Sequence, residues 1–247
     1  FEMKLKVGAS NTNGANGLNN YTTGIFNIPL VEDKLALRVA AYRFENNGYI
    51  DMVSSSDPAK VAAGIAFGGV LNDTTGVNDS EYTGGRASLL WQPVDNLSVS
   101  LMHITQTLDQ DGMPYVDIDK GGYKSTAFTF NGAHNDEEGR LEEFDATNLV
   151  IEYDLGWGDL ISASVVSEGR SERDADASRF FVVPIAIGSA FDFKGFTQEL
   201  RISSRLDGSF QFLAGLYYEN LESLLDNSIL WSGDNALNPF GATDLFS

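Results

Sequence analysis

His103 and His134 are the only imidazoles in the chain, and there is no cysteine. Disulfides, thiolate catalysis and cysteine-based metal sites are therefore excluded. His103 falls in an alternating, strand-like stretch and His134 in a polar segment, so no paired-histidine metal spacing exists. No G-x-S-x-G elbow is present to expose a nucleophilic serine. Asp109-Gln110-Asp111-Gly112, with Asp117 and Asp119 nearby, has the outline of a calcium loop. It lacks the third spaced ligand before the glycine and the downstream bidentate glutamate, and it reads as a solvated turn. Gly14 and Gly17 lie in Asn13-Gly14-Ala15-Asn16-Gly17, a hairpin turn rather than a phosphate cradle, because no strand-to-helix junction follows. These residues predict no enzyme: no catalytic group, no resident metal and no cofactor.

Glu199 and Arg201 carry the most informative charges. They stand two apart in an alternating stretch and so point to the same face. On a closed sheet they would line the interior, as a structural charge lattice or as ligand contacts; the lattice is favoured.

The chain has 247 residues, 43% of them hydrophobic, and a net charge of −19. That charge excludes nucleic acid, whose phosphates need a basic face. It is concentrated between Asp109 and Asp145, where ten acidic residues meet only Lys120, Lys124 and Arg140. Such a run suits a solvated loop, with a cation-holding outer mouth as the alternative. No apolar run approaches the roughly 18 residues of a membrane-crossing helix, but alternating barrel strands escape that test. The chain begins at Phe1 without a basic start or an apolar signal core, which suggests an internal piece of a longer protein or a removed signal.

The dominant pattern is period two. Alternation is clear in 34–44, 97–107, 159–168, 195–205 and 209–219, and rougher in 2–10, 20–28, 81–91 and 145–153. That predicts about nine antiparallel strands in series, with short helical turns possible around 58–66. Joints near 29–33, 93–96, 156–159 and 206–209 are hairpin-sized, whereas long polar loops run over about 46–80, 109–141 and 170–194. Short turns at one end and long loops at the other suit a membrane barrel, with strands of about 9–11 residues crossing at a tilt. Phe26, Trp91, Tyr153, Trp157 and Phe210 sit near the short turns; Tyr42, Phe44, Tyr82, Tyr217 and Tyr218 lie toward the long loops. They are expected to form two aromatic girdles around a lipid-facing band.

The run Leu35-Ala36-Leu37-Arg38-Val39-Ala40-Ala41-Tyr42, continuing to Gly48-Tyr49-Ile50, resembles an early barrel strand of the TonB-dependent outer-membrane receptor family. Gly85-Arg86-Ala87-Ser88-Leu89-Leu90-Trp91-Gln92-Pro93, followed by Asp95-Asn96-Leu97, is similar to its strand–turn–strand joint. Phe196-Thr197-Gln198-Glu199-Leu200-Arg201-Ile202 and Phe212-Leu213-Ala214-Gly215-Leu216-Tyr217-Tyr218 resemble the strands that follow.

The resemblance implies an all-β, up-and-down transmembrane barrel of roughly 22 strands with a plugged lumen. It also implies a bacterial outer-membrane location and uptake of a scarce, bulky nutrient such as an iron–siderophore, cobalamin or a glycan. Its partners would be that ligand, outer-membrane lipid and the TonB complex acting through a plug. Residues 1–247 hold no plug-like segment and too few strands, so the expectation is the first part of a barrel, inactive alone. A passive porin or adhesion barrel, or a soluble β-sandwich binding module, are the rivals.

Overall fold

A computed structural model describes residues 1–67, 69–70, 73–112, 114–116, 122–126, 129–130, 138–177, 185–231 and 237. Nine long strands form one antiparallel sheet in which every neighbour is the next long strand along the chain. They are β1 (Glu2–Asn11), β2 (Leu18–Val31), β3 (Leu35–Asn46), and, after the first long loop, β6 (Ser80–Val94) and β7 (Leu97–Asp111). After the second loop come β10 (Gly139–Asp154), β11 (Gly158–Asp176), β12 (Ile185–Ser204) and β13 (Leu213–Trp231). The first loop carries β4 (Asp51–Val53), α1 (Pro58–Ala66) and β5 (Gly69–Val70); the second carries β8 (Lys124–Thr126) and β9 (Thr129–Phe130). The all-β, nine-strand meander is the architecture the alternation predicts.

Tight joints between 31–35, 94–97, 154–158 and 204–213 gather at one end, here the lower end. The last is wider than its Asp207-Gly208 pair suggests. Gln211 Oε1 accepts from the Leu206 amide (3.2 Å) and the Ser204 hydroxyl (3.0 Å), and the Phe212 amide donates to Ser204 Oγ (2.7 Å). That clamp holds 205–212 as a turn, so the final strand runs over Leu213–Trp231 rather than 209–219. Arg205 bridges two lower joints, meeting Asp154 at 2.5 Å and Asp159 at 3.0 Å. Its hydrogen bond to Asp154, with both negative charges, raises the guanidinium pKa further above its ordinary value.

The upper end departs from expectation in two ways. The first hairpin also turns there, over only 12–17, with Gly14 at φ +88° and the Ala15 amide bonded to the Thr12 carbonyl at 3.0 Å. The third long loop is much shorter than 170–194, because β11 and β12 run on for 19 and 20 residues. A strand needs only about 9–11 residues to cross a bilayer, and β11 and β12 are nearly twice that long.

The upper loops interlock. β4 pairs with β8 in parallel, and β5 pairs with β9 antiparallel. Asn78 Oδ1 accepts from the amides of Tyr49 and the buried Ile50, both at 2.8 Å, and Tyr49 meets Tyr123 edge-on at 5.2 Å. α1 starts at an Asp57 N-cap whose side chain accepts from the Ala59 amide, with proline at the first position, a favoured start. Phe67, just beyond it, packs edge-on at 5.9 Å against the buried Trp231 at the far edge of the sheet. A loop leaving β3 can meet β13 only across the hollow of a curled sheet, so the face bearing Trp231 is the inner one.

Candidate functional site

Register assigns every side chain to one of two faces, because cross-strand partners in a sheet share a face. The lower outer face is apolar. Leu35–Trp91–Val99–Ile151 forms one row and Leu37–Leu89–Leu101–Leu149 the next. Phe26 continues into Val39, and Phe196, Leu200, Leu216 and Tyr218 extend the surface to β13. In the rows of Leu35 and Leu37 the polar groups Ser162, Ser164 and Gln198 interrupt this band and satisfy one another: Gln198 Nε2 donates to Ser162 Oγ at 3.0 Å while Ser164 Oγ bonds Gln198 Oε1; the row of Phe26, Val39 and Phe196 also carries His103, Thr147 and Asn220. The lower inner face is mixed: Glu2, Asn27, Arg38 and Ser88 share one row, which continues through Met102, Asn148 and Val165. A depression of about 500 Å³ opens on the wall there, lined by Glu2, Asn27, Arg38 and Ser88 together with Pro29 and Leu90.

Higher up the same strands the pattern reverses. The outer face becomes charged: Arg43 meets Glu81 at 2.8 Å and Glu45 at 2.6 Å, Arg170 pairs with Glu172, and Lys194 faces Glu168 at 3.9 Å. The inner face becomes aromatic. Tyr21, Phe44 and Tyr82 occupy one register row, with Phe191 farther along it. Tyr42, Phe144 and Phe193 occupy the row below. Neighbouring rings touch: Tyr21–Phe44 at 6.1 Å, Tyr42–Phe44 at 5.5 Å, Phe144–Phe193 at 6.3 Å and Phe191–Phe193 at 6.2 Å. Three glycines make room for them. Gly8, Gly84 and Gly169 lie directly opposite Tyr21, Tyr42 and Phe193, and a Cβ on any of them would collide with the ring lying over it. The rings thus lie flat along the wall and show their faces to the interior.

The belt corrects the expected upper girdle. Tyr42, Phe44 and Tyr82 point inward, away from the lipid-facing band. Tyr217 and Tyr218 sit near the lower end of β13, because that strand starts at Leu213 and runs to Trp231. Phe26, Trp91 and Tyr153 do lie on the outer face beside the lower joints.

Glu199 and Arg201 share the inner face, low on β12, with Arg201 Nη1 and Glu199 Oε1 3.9 Å apart. Their cross-strand partners are Ala163 and Ile161 on one side, Tyr217 and Gly215 on the other. The aromatic belt lies well above them, so the structure does not bring this pair together with the rings. Asp109, Gln110 and Asp111 belong to β7 rather than to a turn; the two carboxylates point outward and Gln110 inward. Asp117, Asp119 and His134 lie outside the described residues. His103 is on the outer face, with Nδ1 2.9 Å from Thr147 Oγ1 and Nε2 3.7 Å from Asp145 Oδ1. Among the described residues no three His, Asp or Glu side chains converge as metal ligands.

No family model matches the sequence, and no curated protein is significantly similar to it. Among solved structures the chain is similar to the ferric yersiniabactin uptake receptor FyuA from Yersinia pestis, at 15% identity and a TM-score of 0.62. The match covers 85% of this chain and 30% of that one. The fold shared with it is that of part of an antiparallel, up-and-down β-barrel. A second structure, the outer membrane transporter YddB from Escherichia coli, aligns over 87% of this chain and 32% of that one. Its 9% identity and TM-score of 0.41 carry no argument. The chain spans about a third of the length of each, and at these identities the likeness is one of fold.

Proposed function

We propose that the chain is part of the barrel wall of an outer-membrane, TonB-dependent transporter that takes up a scarce, bulky nutrient, in the class of iron chelates, cobalamin or oligosaccharides. The observation that carries this reading is the reversal of polarity along β3, β6, β10 and β12. An apolar outer band, with Glu2, Asn27, Arg38, Ser88, Glu199 and Arg201 on the inner face, suits lipid outside and an aqueous lumen inside. A charged outer face above it suits strands that project beyond the bilayer, with the aromatic wall facing an outer vestibule. Glu199 and Arg201 would then belong to the charge lattice of the lower lumen, beneath the ligand-facing part.

The test is to express the complete gene product and fractionate the envelope. The expected outcome is an outer-membrane protein that needs detergent to dissolve, shifts its gel mobility on heating, and supports uptake that stops when the proton-motive force is collapsed. A monodisperse soluble monomer without detergent would overturn the reading. Uptake that survives an uncoupler would leave a passive barrel instead.

A further inference from the structure

We propose that a small polar island on the lipid-facing surface of β11 and β12 is the contact through which two copies of this protein pair side by side in the membrane. The pairing goes beyond the uptake reading and rests only on its barrel-in-lipid part.

The first observation is polarity where lipid tails would lie. Ser162, Ser164 and Gln198 point outward, with Leu160 and Ile202 in the row beneath them and Val166 and Phe196 in the row above. His103, Thr147 and Asn220 are outward too, but the row of Asp145, Glu168, Lys194 and Glu222 follows directly above them. Headgroups and water reach that level; the island has no such access. In the island's own rows, β2, β3 and β6 carry only apolar outward side chains, among them Ile28, Leu37, Leu89 and Trp91. Polar groups at hydrocarbon depth are costly, and in membrane proteins they turn toward another protein. The bonds inside the island let a single copy insert, yet the Ser162 hydroxyl, which accepts from Gln198, has no acceptor for its own proton among the described residues.

The second observation is geometry. In the row of Ala41 the outward residues on β1, β2 and β6 are Leu5, Gly24 and Gly85, whereas on β10 to β13 the same row is charged. Register rows therefore climb toward β13, as in barrel strands tilted by about 35–45°. Strands lie about 4.8 Å apart and same-face residues about 6.7 Å apart, so the diagonal from Ser162 to Gln198 runs about 36° off the strand axis. The tilt turns that diagonal upright, along the membrane normal. Ser164 and Leu200 then flank it at nearly one height, the first a short side chain and the second a knob that is 41% exposed. A twofold axis along the normal sets Gln198 against the partner subunit's Gln198 and Ser162 against the partner subunit's Ser162. Leu200 enters the hollow over the partner subunit's Ser164, and the reverse. Amide and hydroxyl groups both donate and accept, so each can meet its own copy, as an isologous contact requires. A lipid tail would fill the hollow but satisfy no polar group, and an unlike protein would not need the diagonal to stand upright.

The complete protein in its native outer membrane tests the inference, with one thiol added to a stretch that has no cysteine. Ser162→Cys, on the axis, should be joined to its copy by a short thiol-reactive crosslinker, giving an adduct of twice the monomer mass. Val39→Cys, outward at a similar depth on β3, should give little. In the Ser162→Cys background, Gln198→Leu and Ser164→Leu should each weaken pairing about threefold to tenfold. Both changes make the surface more apolar, so a face that met only lipid would tolerate them. Heat-modifiable gel mobility confirms that each variant is folded. An adduct yield no higher than that of Val39→Cys, a yield that survives either leucine variant, or a thiol that joins only a different protein would overturn the inference. None of these outcomes would disturb the uptake reading, which stands or falls on location and energised transport.

Discussion

The lower and upper halves of this sheet are built from the same nine strands, yet they solve opposite problems. In the lower half the outer side chains are chiefly Leu, Val, Ile, Phe and Trp, and the inner ones mix charged and polar groups such as Glu2, Asn27, Arg38 and Ser88 with aliphatic ones. In the upper half the outer side chains are Arg, Glu, Asp and Lys, and aromatic rings line the interior. Backbone pairing continues through the reversal without a break in β7, β10, β11 and β12. The hydrogen-bond ladder is therefore indifferent to what surrounds it, and the side chains alone decide which solvent each level of the wall can meet.

The largest effect that separates the halves is a charge placed on the outer face. Leu101→Arg, in the middle of the apolar band, should cost about 2–4 kcal/mol of stability in lipid. Thr107→Arg, three residue pairs higher on the same face of β7, should cost close to nothing. Unfolding by denaturant in vesicles of the complete protein measures both, and equal costs would erase the boundary.

The next effect concerns the glycines. Gly8→Ala should destabilise by about 1–3 kcal/mol, because its methyl group would collide with the Tyr21 side chain and the ring must move. That cost should largely vanish in a Tyr21→Ala background. Gly24→Ala, whose Cβ would meet Phe26 at an ordinary 3.6 Å, should be nearly neutral. A double-mutant cycle measured by thermal unfolding checks the coupling.

A smaller effect belongs to the outer charges. Arg43 is more than half exposed, so Arg43→Ala should cost at most about 1 kcal/mol despite its bidentate contact with Glu81, and added salt should shrink that further. A loss of several kcal/mol would mean that this level is dry rather than aqueous.

The subtlest test is a titration in the first upper loop. Asp73 accepts from the Ser54 hydroxyl at 2.8 Å and the Ser54 amide at 2.7 Å, and these bonds hold its pKa below the ordinary value, the hydroxyl contributing most. A lowered folded-state pKa gives stability that is complete above the unfolded pKa and is lost as pH falls through the folded one. The Asp73 carboxyl carbon resonance should titrate below the free-aspartate range and move partway back in Ser54→Ala.

The nine strands, their order and the lower joints were all legible, since period-two alternation survives wherever the outer face is apolar. What the alternation hid was the reversal. In Arg170–Asp176 the outward positions are Arg170, Glu172, Asp174 and Asp176, so a strand above the bilayer reads as a charged loop. The same phase change disguised Tyr42, Phe44 and Tyr82, because an aromatic residue near a strand end fits an outer girdle until register shows its face. The spacing of Glu199 and Arg201 put them on one face, but which face it is needs the register that links them to Trp231. The fit of Gly169 to Phe193 needs the neighbours that only strand pairing supplies. The Gln211 clamp was likewise invisible, as its partners lie five to seven residues away.

The strand pairs that tie the first upper loop to the second have an immunological consequence. On the transporter reading proposed above, the outermost surface presents a discontinuous epitope, assembled from two segments separated by β6 and β7. A peptide copied from either loop lacks half of the backbone ladder that gives the surface its shape. Antibodies that recognise the living cell would therefore be raised by the folded wall carrying both loops, and not by either loop alone.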